Sequence, residues 1–208
     1  MRATCPLFLV RRTFGSCGRQ GAAATPAAGR LLRGILRGAA AGAAGCTALN
    51  TVGYLDMVFR GRGASSTPEV TVERLSQAVH VPIPGSPEAR RNRIAGLGPL
   101  TGSAAGVGMG ATLGLVTAAG WRPGNATLTA TAGVLALIGT NGPMTVLRVT
   151  DPRTWSASDW VADIVPHVAY ALVATAVLKG LAPGIRSGSA AARGPQGRCE
   201  AVRLRLTP

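Results

Sequence analysis

The sequence predicts an all-α polytopic membrane protein, a bundle of four membrane-spanning helices, and three observations carry that prediction. Five glycines spaced four apart, Gly98, Gly102, Gly106, Gly110 and Gly114, run through an apolar stretch long enough to cross a bilayer. The 208 residues are 47% hydrophobic and only 14% charged, against about 25% charged in a soluble domain. Those charges are segregated into tails and loops between long apolar runs. In water each interior glycine costs a helix about 0.8–1.0 kcal/mol relative to alanine. In lipid the backbone must satisfy itself and small residues let helices approach closely, so the five glycines read as a glycine-zipper transmembrane helix.

Residues 1–37 form a basic tail expected to be largely disordered, with no acidic residue before Asp56. For residues 1–29 an acid-free, Arg/Ser-rich composition fits a mitochondrial transit peptide; a cytoplasmic tail or a start placed upstream of the native one fits as well. The Ala/Gly/Arg-rich usage with a single lysine points to a high-GC bacterium and so to the latter two. The first span, about 38–59, is led in by Arg30, Arg33 and Arg37, whose stems can snorkel to the interface. Gly34, Gly38, Gly42 and Cys46 repeat the four-residue small pattern and offer a matching groove for the second span. Asp56 lies near its end, within reach of Arg60 and Arg62.

In the following loop Thr67 reads as an N-cap, Pro68 as the first helical residue and Glu69 as a first-turn acid. Val70, Val72, Leu75 and Val79 then recur at helical spacing, predicting an amphipathic helix over 67–79 on the membrane surface or the bundle. Pro82, Pro84, Gly85 and Pro87 end it, and Arg90, Arg91 and Arg93 anchor the second span, 95–119. Gly120-Trp121-Arg122-Pro123-Gly124 is a tight turn with an interfacial Trp. The third span, 126–147, is interrupted by Asn141-Gly142-Pro143, because proline removes a backbone donor and glycine permits unusual angles. Trp155 marks the next interface, and Ser158 is the expected cap of the fourth span, 159–181. Residues 182–208 read as a disordered basic tail.

The formal charge of +14 comes from 22 Lys+Arg against 8 Asp+Glu. Nucleic-acid binding would place such a charge on one face of a folded module with stacking aromatics; here the arginines flank apolar spans and aromatics are 4%. Anionic headgroups are the fitting counterpart, so the bilayer is the expected partner and nucleic acid is not. With both termini cytoplasmic, the whole-chain Lys/Arg count is 14 inside against 8 outside; restricted to about 20 residues from a span the count ties. Cys5, Cys17, Cys46 and Cys199 show no CxxC pair and no zinc spacing, and no P-loop, dinucleotide fingerprint, nucleophile elbow or HExxH is present. No cofactor or metal is expected, and Cys46 reads as a small packing residue.

Two constellations remain. Glycines at every fourth residue advance about 40° per step, so the zipper traces a slanted groove about 24 Å long that favours close helix crossing. Packing against the first span inside one subunit is the simpler use; a self-association face giving a homo-oligomer is the other. Asp163 and His167 lie one turn apart in the fourth span, after Asp159 and before Tyr170, and an ionisable group at lipid depth is a functional hypothesis by default. Asn141, Asp163, His167 and Tyr170 form the candidate polar pocket, with a proton relay or cation site as its chemistry. Discontinuous helices such as the one expected at Asn141-Gly142-Pro143 line binding sites in transporters.

The chain resembles a group of small actinobacterial four-helix integral membrane proteins. The resembling segments are Ser65-Ser66-Thr67-Pro68-Glu69, the glycine-rich second span, Asn141-Gly142-Pro143-Met144, Thr150 to Trp155, and Asp163 to Tyr170. They cover residues 37–181, and Ala171 departs from the glycine usual after that tyrosine. The resemblance implies a multi-pass bundle of the plasma membrane and supplies no activity. The expectation is a non-enzymatic structural or interaction bundle; the alternative is a small proton- or cation-coupled transporter or channel using Asp163 and His167.

Overall fold

The computed structural model describes residues 27–182, and every described element is helical. Cys5, Cys17, Cys199 and most of both predicted tails lie outside these residues. The helices are α1 (Ala27–Arg60), α2 (Thr67–Ala78), α3 (Pro87–Ala118), α4 (Asn125–Val146) and α5 (Ala157–Gly180), with a 3-10 turn at Pro152–Thr154. Helix α1 packs against α3 and α5, α4 closes the ring between α3 and α5, and α2 lies on α3. The four long helices thus form a bundle with α1 and α4 on the diagonal.

The glycine groove sets the α1–α3 contact. A Cβ added at Gly38 would strike the carbonyl of Gly110 and stand 2.8 Å from the Gly114 Cα; one at Gly42 would stand 2.6 Å from the Gly106 oxygen. The reverse holds at Gly110, 2.6 Å from the Gly42 Cα, and at Gly114, 2.7 Å from the Gly38 Cα. Backbone therefore meets backbone in an antiparallel register that pairs Gly34 with Gly114, Gly38 with Gly110 and Gly42 with Gly106. The zipper is not one groove, however. Gly98 receives Pro68 of α2, and Gly102 faces no atom within 4 Å.

Several element boundaries differ from the sequence reading. Helix α1 starts at Ala27, so residues 27–37 are helix and not tail; Gly34 is already locked against Gly114 and Ala118, and the intervening Leu and Arg are good helix formers. Ser66, not Thr67, precedes α2, and Ser65 Oγ accepts from the Thr67 amide at 3.2 Å. Ser156, not Ser158, caps α5 in a capping box with Asp159. The expected interruption at Asn141-Gly142-Pro143 is absent: α4 continues through Pro143 to Val146. Proline disfavours helical geometry in the residue before it by striking that residue's Cβ, and Gly142 has none. Only the last turn lies beyond, and the Thr145 hydroxyl donates to the Asn141 carbonyl at 2.7 Å.

Two helices, α3 and α5, are long and apolar enough to cross a membrane, rather than four. Helix α1 carries Arg30, Arg33, Arg37, Asn50 and Asp56 among alanines and glycines, while threonines, glycines and Asn141 dilute α4. The interior is built from small residues, Ala41, Ala132, Ala136, Ala171 and Ala174, with Leu113, Leu128 and Tyr170, whereas Val134, Ile138, Val161 and Leu172 point outward.

Replacing Gly38 or Gly110 with alanine is expected to lower stability by about 1–3 kcal/mol, the usual penalty for overpacking. Gly102→Ala is expected to be neutral or stabilising by up to about 1 kcal/mol. Thermal unfolding in detergent followed by circular dichroism compares them, and equal effects at all three sites would refute the backbone contact.

Candidate functional site

The polar residues of α4 and α5 meet because both helices carry them on facing turns. On α4, Leu128, Ala132 and Ala136 are buried at four-residue intervals, and Thr140 continues that stripe. On α5, the capping box fixes the start of the helix, so Asp163 and His167 follow on successive turns of the same side. Asn141 Nδ2 donates to Asp163 Oδ2 at 2.8 Å. His167 Nδ1 lies 2.7 Å from the Asp163 carbonyl and 3.6 Å from its Oδ1. His167 Nε2 lies 3.0 Å from Thr140 Oγ1. The imidazole is 8% exposed and the Asp163 side chain 20%.

This geometry fixes the hydrogen-bonding role of one ring nitrogen and leaves the role of the other open. Since a carbonyl only accepts, Nδ1 carries a hydrogen. At Nε2 the Thr140 hydroxyl adapts: it donates to a bare Nε2, or it accepts from a protonated one and donates to the Ala136 carbonyl at 2.9 Å. No heavy atom needs to move between the two states. The neighbouring Asp163 carboxylate is the charge that would accompany an imidazolium.

Tyr170 does not join this group. It is almost fully buried, its ring lies against Gly45 and its hydroxyl donates to the Gly106 carbonyl at 2.6 Å. A Cβ at Gly45 would stand 2.6 Å from the ring, so α1 and α5 also meet through a glycine, one outside the predicted stripe. The predicted four-residue pocket therefore divides into a hydrogen-bonded group of Asn141, Asp163, His167 and Thr140, the place of the expected relay, and an anchor, Tyr170, that ties α5 to the zipper. Cys46 sits opposite Gly106, where an added Cβ would strike its sulfur. Thr140 and Gly45 were not singled out from the sequence; the signal for Thr140 was its place four residues beyond Ala136.

Where the glycine pairing ends, the helices part around a cavity of about 380 Å³, within the 300–1,000 Å³ typical of small-molecule sites. Helix α1 lines it along one face from Cys46 to Met57, and α3 from Pro99 to Met109. Thr140, His167 and Tyr170 reach it; Asn141 and Asp163 stand behind them. Toward α2 it is bounded by Arg62, Ser65, Pro68 and Glu69. Asp56 holds Arg62 at 2.5 Å and Arg60 more loosely at 3.7 Å. Glu69 Oε2 is buried with no hydrogen-bond partner, as is Asn141 Oδ1. Among the described residues no cluster of three His, Cys, Asp or Glu side chains comes together to hold a metal ion.

No family model, no curated protein and no solved structure matches the chain.

The Asn141–Asp163 bond is testable as a coupled pair. Asn141→Ala and Asp163→Ala are each expected to destabilise, and the double variant to lose less than their sum by about 0.5–3 kcal/mol. Strict additivity in denaturant unfolding would separate the two side chains.

Proposed function

We propose that the chain is a four-span integral protein of the plasma membrane, a non-enzymatic bundle assembled by backbone contact between α1 and α3. The observation that carries this reading is the inverted distribution of side-chain size. Val134, Ile138, Val161 and Leu172 are 53–62% exposed, while the contacts between helices are made by Gly and Ala. A soluble monomer rarely exposes apolar surface so widely. In a bilayer, lipid covers large outward side chains, and small residues let the helices pack.

Three further features support it. Thr51, Thr112 and Thr131 are exposed, yet each hydroxyl donates to the carbonyl four residues back, at 2.8–2.9 Å; lipid offers hydroxyls no other partner. Arg30, Arg33, Arg37, Arg122 and Lys179 lie at one end of the bundle, and Arg60, Arg62, Arg90, Arg91, Arg93, Arg148 and Arg153 at the other, as headgroups on both faces require. Trp155 and Trp160 stack edge to face, 5.0 Å apart, at the second end. Ala27 of α1 and Gly180 of α5 lie at the first end, which this reading assigns to the cytoplasm. Because Gly106, Gly110 and Gly114 are occupied within the subunit, a homo-oligomer would have to use another face.

The four-span topology predicts that Gly124→Cys and Ser158→Cys, in a background lacking the native cysteines, are labelled by a membrane-impermeant maleimide from opposite sides. Labelling of both from one side, or release of the protein by alkaline carbonate, overturns it.

A second reading is favoured by the relay. His167 lines the cavity with Asp163 behind it and faces at Nε2 a hydroxyl that can either donate or accept, an arrangement suited to a proton-coupled carrier or channel. Proteoliposomes carrying a pH-sensitive dye are expected to show proton flux that Asp163→Asn and His167→Ala abolish. A parent protein without flux removes this reading and leaves the bundle.

A further inference from the structure

The cavity between α1 and α3 has features that neither assembly nor the relay uses. Its α1 wall is one continuous helical face: Cys46, Leu49, Asn50, Gly53 and Met57 recur at intervals of three and four. The eleven residue steps from Cys46 to Met57 at the helical rise make it about 16 Å long, so the space is elongated. Its middle is kept open from opposite walls by two glycines, Gly53 on α1 and Gly102 on α3, at which an added Cβ would meet no atom within 4 Å. Leu49, Met57, Pro99, Met109 and Pro166 make its body apolar. The exposed Asn50, Tyr54, Ser65 and Gly102 form a rim through which it opens.

The two ends differ in polarity. At the inner end the Tyr170 hydroxyl is committed to the Gly106 carbonyl and the imidazole to Thr140 and Asp163, so that end asks for no further partner. At the outer end Glu69 keeps a buried carboxylate oxygen with no partner. It sits in the first turn of α2, where free backbone N–H groups favour a negative charge. The nearby cation, Arg62, is bound to Asp56. A buried acceptor without a donor is costly, so the complementary group is a donor, and one of positive charge fits best.

We propose that this cavity binds a single-chain amphiphile with a protonated primary amine, its ammonium on Glu69 and its alkyl chain running between Gly53 and Gly102 toward Tyr170. The proposal goes beyond the bundle reading. It needs the α1–α3 packing but neither the number of spans nor proton flux, so it stands or falls separately from both.

Native mass spectrometry of the full chain released from detergent micelles tests it with four probes: dodecylamine, dodecanol, dodecanoate and propylamine. One dodecylamine per chain is expected, bound at least tenfold more tightly than dodecanol, with dodecanoate and propylamine weaker still. Glu69→Gln is expected to reduce the preference for amine over alcohol to less than threefold while retaining the chain. Gly102→Leu places a side chain in the open middle and is expected to abolish binding of both, with its melting temperature in circular dichroism unchanged or raised. Equal binding of amine, alcohol and carboxylate overturns the assignment of the head. Propylamine binding as tight as dodecylamine overturns that of the tail, and full binding to a folded Gly102→Leu variant overturns the site. A lysophosphatidylethanolamine arm separates sources: adducts as strong as those of dodecylamine, and equally lost in Glu69→Gln, assign the amine to a lipid headgroup and support the same site.

Discussion

The rest of the molecule depends on the backbone contact between α1 and α3. At Gly38 and Gly42 on α1, and at Gly110 and Gly114 on α3, even one added carbon would strike the backbone of the facing helix. This is a steric demand with little latitude, because peptide backbone cannot rotate aside as a side chain can. It fixes the register of the two helices, and with it the height at which Cys46 meets Gly106. The third helix of the contact is then placed by the same logic. Tyr170 fills the space over Gly45 and ties its hydroxyl to the carbonyl of Gly106, joining α5 to both. Dispersion is collectively strong where surfaces fit this closely.

The same periodicity produces the opposite result one step further along. Gly102 continues the four-residue spacing of Gly106, Gly110 and Gly114, yet nothing approaches it, since the α1 residues beyond Cys46 include Leu49 and Asn50 in place of another glycine. The helices separate there, and the space between them stays open because Gly53 also contributes no side chain. Glu69, whose Oε2 is a buried polar atom without a partner, lines this open half. Packing strength and binding capacity are thus distributed along one helix pair by the presence or absence of a matching small residue.

How much of this is legible in the sequence depends on whether a feature is local. The α1 and α3 glycine stripes are visible because a four-residue spacing of residues without side chains has few other uses in a helix, and their mutual register follows from geometry. That Gly98 serves α2 and Gly102 a cavity is not visible, because a groove does not name its occupant. The proximity of Asp163 and His167 follows from helical spacing, and the bond to Asn141 from the polarity of both. Thr140 escaped notice because a helical threonine usually bonds its own backbone, which this one also does. The capping box was present as Ser156 and Asp159 at the required spacing, with Ser158 a nearer but incorrect choice. Proline after glycine was read as a break, although the missing Cβ is what lets the helix continue.

These elements bear on how a helical bundle can hold a buried polar group without losing its fold. An ionisable pair inside a bilayer is expensive, and removing one partner of a buried pair is more destabilising than never having had it. Here the cost falls on α4 and α5, about 9 Å and 15 Å along α5 from its start for Asp163 and His167, the second close to the middle of the 24-residue helix. The α1–α3 contact carries no charge at all. The Thr140 hydroxyl has both the Ala136 carbonyl and the imidazole within reach. The glycine contact is therefore mechanically independent of the relay, while Tyr170, three residues beyond His167 on α5, connects them through the Gly106 carbonyl. Any displacement of His167 along α5 would be felt first at that hydroxyl bond and only then at the zipper.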